Sequence, residues 1–235
     1  MDNDYREYLD GIKEWLDDTR DEQLESMGDF FDSRVDGYEE HMASLKEYYK
    51  WLSDLVPEGT NKLLDLGCGT GLELDYIFKK NPGIQVTGVD LTKSMLDKLK
   101  EKHNKKDLNL ICGDYFEVDL GEDCYDAAVS VESLHHFTLE KKAVLYKKIY
   151  DALKPGGIYI QCDYTAVNEE HEVMLYKEYL ERRRKSNIPH GVFVHFDIPL
   201  TLEHEVQALK AVGFKEVKEL GALKEPQTQM IIAVK

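Results

Sequence analysis

The chain has 235 residues, 42% hydrophobic and 32% charged, enough to bury a core without disulfides or a structural metal. Its 46 Asp and Glu against 30 Lys and Arg give a net charge of -16, which repels a phosphate backbone and excludes nucleic acid as an expected partner. Scattered cysteines (Cys68, Cys112, Cys124, Cys162) with no C-x-x-C pair, no basic-then-apolar leader and no bilayer-length apolar run lead us to expect a cytoplasmic chain with reduced thiols and no membrane partner.

In chain order, residues 1–40 hold 15 acidic and 4 basic residues. There Tyr5, Leu9, Ile12, Trp15 and Leu16 recur at helical spacing, which predicts an amphipathic helix with a solvated acidic face. After Gly37 a second helical pattern runs from Tyr38 through Met42, Leu45, Tyr48, Tyr49, Trp51 and Leu52 to Leu55, and Pro57 with Gly59 ends it. We expect residues 1–58 to form a helical cap and 59–235 a core domain.

From residue 61, short apolar runs alternate with longer amphipathic ones, the pattern of a parallel sheet with crossover helices. Strands are predicted near 62–66, 84–90, 108–113, 125–131 and 158–163, and helices near 71–80, 92–103 and 139–153, the last stopping before Pro155, Gly156 and Gly157. Residues 167–185 read as a helix ending in Arg182, Arg183, Arg184 and Lys185, a basic run expected to be solvated. It belongs to an insert near 165–200 that continues irregularly through Pro189 and Pro199. A further helix starts at Thr201 as N-cap and stops at Gly213. Two tail strands, about 214–219 and 228–234, joined through Gly221 and Pro226 with no helix between, predict an antiparallel pair. The expected fold class is α/β: a Rossmann-like doubly wound sheet, mostly parallel with an antiparallel C-terminal strand, plus the N-terminal helical cap.

The most specific segment is Lys62 to Leu72, in which Asp65 precedes Gly67, Cys68, Gly69, Thr70 and Gly71 at the junction of the first strand and its helix. Glycines there let the backbone turn tightly and approach a ligand. A dinucleotide fingerprint would spell G-x-G-x-x-G, but Leu72 stands where its third glycine belongs, which counts against a nicotinamide cofactor. Asp90 closes the second strand, where a carboxylate can accept both hydroxyls of a ribose, and Asp114 with Tyr115 follows the third.

This ordered series resembles class I S-adenosylmethionine-dependent methyltransferases over residues 61–163. The resemblance implies S-adenosyl-L-methionine as cofactor, with Asp65, Gly67, Cys68, Gly69 and Gly71 at the turn. It places Asp90 on the ribose, Leu91 and Met95 around the base, Asp114 and Tyr115 at the adenine, and Val131 and Glu132 at the end of the fourth strand. Cys68 is read as a small packing residue, and Tyr38, in the run FFDSRVDGY, as a lid contact over the cofactor. The implied reaction is methylation of O or N on a small-molecule acceptor.

His135 and His136 follow the fourth strand, where the acceptor would approach, and either one is the expected base or orienting acceptor. Asp163 and Tyr164 should face the same mouth. A metal formed by His135, His136, His190, His195 and Asp197 is not expected, because adjacent histidines on a turn usually point apart. Alternatives are a catalytically idle cofactor-binding regulatory subunit, an aminopropyl transferase of the same fold and, less favoured, a nucleotide-dependent oxidoreductase.

Overall fold

In the computed structural model, residues 5–189, 191–224 and 227–235 are described. His190 and Pro226, singled out above, lie outside them. The helices are α1 (Arg6–Asp18), α2 (Met27–Arg34), α3 (Tyr38–His41), α4 (Lys46–Leu55), α5 (Leu74–Lys80), α6 (Lys93–Lys102), α7 (Leu139–Ala152), α8 (Glu169–Lys185) and α9 (Leu202–Ala211). The strands are β1 (Lys62–Leu66), β2 (Gln85–Asp90), β3 (Leu108–Cys112), β4 (Tyr125–Val131), β5 (Leu153–Tyr164), β6 (Glu216–Gly221) and β7 (Thr228–Val234). They form one sheet in the order β3-β2-β1-β4-β5-β7-β6. β7 runs antiparallel to both of its neighbours, while β1 to β5 pair in parallel.

Strand periodicity sorts the core into two layers. Leu63, Val86, Val129 and Ile160 face α4, α5 and α6 through Tyr48, Leu52, Ile77 and Leu99. Leu64, Leu66, Ala128 and Tyr159 face α7 and α9 through Leu145, Ile149, Val206 and Leu209. Helices therefore cover both sheet faces, as a parallel sheet requires. α4 lies inside the anticipated cap stretch yet packs under the sheet, with Leu52 fully buried.

Two charged side chains bind the second layer together. Lys142 of α7 and Glu205 of α9 are both 0% exposed and form an ion pair. The Tyr146 hydroxyl lies within hydrogen-bond distance of both Glu205 and, at 2.9 Å, Gln161 of β5.

Several predicted elements differ in detail. The pattern from Tyr38 to Leu55 is not one helix: α3 is a single turn, a 3₁₀ turn spans Met42–Leu45, and α4 follows. α2 has no counterpart in the sequence reading; Ser26 caps it by accepting from the Asp29 amide. Pro155, Gly156 and Gly157 sit within β5, as an irregularity between the Tyr125–Leu153 and Ala127–Ile158 pairs. Thr201 does cap α9, accepting from the His204 amide at 3.3 Å.

The basic run at the end of α8 is only partly solvated. Arg182 is 4% exposed, and its guanidinium donates to Glu178, to the Leu16 carbonyl and to Thr19, clamping α8 against α1. Among the described residues no helix is long and apolar enough to cross a membrane.

Candidate active site

Strand order reverses between β1 and β4, so the carboxyl ends of these strands leave a crevice, the place where open parallel sheets bind ligands. β1 delivers the glycine turn, in which Gly67, Gly69 and Gly71 all have positive φ. A Cβ on Gly67 would lie 2.0 Å from Ser133 Oγ, and one on Gly69 would meet the Tyr38 ring at 3.6–3.9 Å. The absent side chain at Gly67 thus lets the β4 loop close on the turn, while the Tyr38 side chain lies over Gly69 at ordinary contact distance.

Asp90, at the tip of β2, fixes this geometry. Its Oδ2 accepts from the Gly69 amide at 2.9 Å and its Oδ1 from the Thr92 amide at 2.8 Å. Burial pushes the Asp90 carboxyl up, and these two amides pull it back. Asp114 accepts from the Phe116 amide at 2.8 Å, and Tyr115 donates to the Ser133 carbonyl.

A cleft of about 660 Å³ runs along these groups. Nine of the residues predicted to hold the cofactor line it: Tyr38, Gly67, Gly69, Asp90, Leu91, Met95, Asp114, Tyr115 and Glu132. His136 also reaches it, and Phe31 and Phe193 close it. Asp65, Cys68, Gly71 and Val131 stand behind the wall. Cys68 and Val131 pack in the first core layer, Cys68 against Gly88. Asp65 is buried against Glu73, and burial with that neighbouring carboxylate holds Asp65 well above the usual range. Asp65 Oδ2, Thr70 Oγ1 and Glu73 Oε1 are buried without hydrogen-bond partners.

A second chamber, of about 1190 Å³, adjoins the cleft and shares Phe31, Tyr38, Glu132 and His136 with it. Phe30, Met42, His135, His195 and Asp197 are among its other walls. Glu132 ends β4 in the left-handed region, at φ 45°, a conformation rare for a residue with a side chain. Its Oε1 is buried and unpartnered. Burial pushes its carboxyl up to about 7, with His135 pulling the other way.

The two histidines occupy different settings. His135 Nδ1 lies 2.6 Å from Asp163 Oδ1 and its Nε2 3.6 Å from Asp197 Oδ1. Burial disfavours its charge, but Asp163, Asp197 and Glu132 prevail and raise it to about 9. His136 Nδ1 is 3.1 Å from Asp197 Oδ1, and burial together with the His135 charge lowers its pKa. The ring centroids are 4.0 Å apart, so the adjacent histidines converge on one carboxylate instead of pointing apart.

The lid is held from three sides. The Met27 amide donates to the Phe193 carbonyl and the His195 amide to the Glu25 carbonyl, tying the entry to α2 onto the insert. Lys98 of α6 donates to the Val35 carbonyl at 2.8 Å and pairs with Asp36. On the far side, the Ile198 amide donates to the His135 carbonyl at 2.8 Å, which sets Asp197 against the histidines. Phe193 and Glu73 were not singled out from the sequence. Phe193 reaches the cleft only through tertiary contacts, and Glu73 is marked locally by nothing beyond an acid at the start of α5.

Residues 63–157 match a family model described as a methyltransferase domain. The chain is 28% identical over 176 residues to 24-methylenesterol C-methyltransferase 3 of Arabidopsis thaliana, covering 70% of this chain and 45% of that protein. It is 28% identical over 169 residues to the phosphoethanolamine N-methyltransferase of Plasmodium falciparum, covering 72% and 59%. The chain therefore spans about half the length of these relatives. Carboxy-S-adenosyl-L-methionine synthase of Nautilia profundicola is 28% identical over 84% of this chain and 87% of its own. Among solved structures, phosphoethanolamine N-methyltransferase 2 of Haemonchus contortus, with phosphomonomethylethanolamine and S-adenosylhomocysteine, superposes with a TM-score of 0.64. That likeness, at 20% identity and covering 90% of this chain and 60% of the other, is one of fold.

Proposed function

We propose that this chain is a class I S-adenosylmethionine-dependent methyltransferase and that it methylates an oxygen or nitrogen of a small-molecule acceptor held in the second chamber. The observation that carries this reading is the shared wall: Phe31, Tyr38, Glu132 and His136 each border both the cleft and the chamber. A donor and an acceptor in these two spaces would meet there.

The cleft fits the cofactor on its own features. The glycine turn admits close backbone approach, and Asp90 keeps lone pairs free for ribose hydroxyls beyond the two amides it already binds. Asp114 stands at the adenine end, with Leu91 and Met95 as apolar walls. When bound, the sulfonium supplies an activated methyl group.

In this reading the chain's main work is placement, since a held pair of reactants gains most of its rate from orientation. Tyr38 covers the turn and, with Phe31, excludes water. His135 and His136 orient the acceptor. Glu132 takes the acceptor's proton, on the strength of its site between the two spaces, its strained backbone and its unpartnered oxygen. We assign residues 5–41 a covering role over the site, and place the protein in the cytoplasm because its four cysteines are unpaired.

Calorimetric titration of the full chain with S-adenosylmethionine and with its demethylated product tests the reading. Both should bind, and Asp90→Ala should weaken them at least tenfold, the scale of a lost charge-assisted hydrogen bond. A metabolite-extract screen then identifies the acceptor, and on it Glu132→Gln should lower turnover about 10²–10⁴-fold with cofactor affinity changed far less. No binding of either nucleoside, or undiminished affinity in Asp90→Ala, would refute the proposal.

A further inference from the structure

The acceptor chamber contains a donor set with the composition and spacing of a metal site. One ligand atom each from His135, His136 and Asp197 lies within 4.8 Å of the others. Asp197 Oδ1 is 3.1 Å from one imidazole nitrogen and 3.6 Å from the other. Ligands bound at about 2.0–2.2 Å around a single ion are separated by about 3–3.5 Å, close to these spacings. Asp197 Oδ1 is buried and, apart from these two imidazole nitrogens, meets no polar partner among the described residues.

We propose that His135, His136 and Asp197 form a two-histidine, one-carboxylate site for a divalent transition-metal ion on the wall of this chamber. The chemistry of the donors selects the ion class, because imidazole nitrogen with one carboxylate suits zinc, iron, cobalt or nickel better than calcium or magnesium.

The surroundings are those of a built site. Asp163, 0% exposed, accepts from His135 Nδ1 at 2.6 Å, from the Leu134 amide at 2.8 Å and from the Tyr164 amide at 2.9 Å. It therefore fixes the ring so that Nε2 is the nitrogen presented to the chamber, the arrangement by which outer carboxylates orient metal-binding histidines. The bond from the Ile198 amide to the His135 carbonyl brings Asp197 in from the insert, about 60 residues away in sequence.

Three protein ligands leave coordination positions open beside a space walled by Phe30, Phe31 and Met42, with Arg34, His41 and His195 among its polar walls. The acceptor class this suits carries an oxygen donor on an apolar or aromatic body. This acceptor class rests on the methyl-transfer reading; the ion site itself does not.

The test is a titration of the tag-free full chain with Co²⁺ and Zn²⁺ by calorimetry, with the visible absorption of bound Co²⁺ as a second signal. One ion per chain should bind. Asp197→Asn and His135→Gln should each weaken binding at least tenfold, and Asp163→Asn about 10–100-fold through loss of ring orientation. His204→Gln, which alters a histidine paired with Glu172 on α8, should retain full affinity, and circular dichroism confirms that each variant is folded.

Absence of Co²⁺ binding overturns the proposal, and so does wild-type affinity in Asp197→Asn, which would put the ion instead among Glu132, His135 and Asp163. S-adenosylmethionine is titrated separately. Ion binding without nucleoside binding would sink the methyl-transfer reading and leave the metal site standing, and the reverse result would do the opposite.

Discussion

Replacing Lys142 by Met should be among the most damaging single changes that can be made away from the site. Lys142 and Glu205 are both fully buried, and each is the other's charge partner across α7 and α9. With Lys142 gone, Glu205 keeps only the Tyr146 hydroxyl, and an uncompensated buried carboxylate costs about 3–5 kcal/mol. Against a total stability of about 5–15 kcal/mol, that loss is a large fraction, and at about 2–4 °C per kcal/mol it lowers Tm by roughly 10 °C.

The double variant Lys142→Met/Glu205→Leu removes both charges and leaves Tyr146 its bond to Gln161. It should recover most of the loss, because apolar replacements of a buried pair are often neutral or stabilising. Urea denaturation of the two singles and the double closes the cycle. A Lys142→Met cost below about 1 kcal/mol, or a double whose cost equals the sum of the singles, would show that the pair is solvated in a way its burial denies.

Two further expectations follow from local geometry. Gly67→Ala forces a Cβ to 2.0 Å from Ser133 Oγ at φ +69°; it should cost about 2–3 kcal/mol in stability and weaken cofactor binding, with Ser133→Gly giving only partial rescue because the left-handed strain persists. His171 is buried, accepts from the Val167 amide and contacts the Tyr164 hydroxyl, and burial lowers its pKa to about 4. Its neutral form is the folded one, so its contribution to stability is complete above the unfolded value near 6.5 and is lost as pH falls from there towards 4. A histidine NMR titration should place its midpoint near 4, and a midpoint near 6.5 would contradict this account.

The middle of the sheet was readable from sequence because β1 and β4 are short apolar runs between turn residues, and burial on both faces leaves little room for another pattern. The glycine turn and Asp90 were readable for a related reason: positive φ and close approach restrict residue choice within a few positions. α2 escaped because MGDFFDSR carries no apolar stripe at helical spacing; its place depends on Phe193 and His195 in the distant insert. Asp197 could be named as a possible partner of the histidines, but their convergence could not be seen. It depends on the left-handed turn at Glu132 and on the Ile198 bond to the His135 carbonyl, neither of which leaves a local mark. Arg182 was misplaced as a solvated helix end because its burial is created by α1, more than 160 residues earlier.

The interior position of β7 bears on how the protein is made. Residues 228–234 are the last strand of the seven to leave the ribosome, yet they lie between β5 and β6 and pair with both. Until they arrive, β5 presents an open flank of unpaired amides and carbonyls beside the β4 loop that carries Glu132 and the histidines. Vectorial synthesis can assemble β1 to β5 early, but the half of the sheet beside the histidines must wait for the final strand, and during that interval the nascent chain depends on chaperones or on speed to avoid pairing with a neighbour.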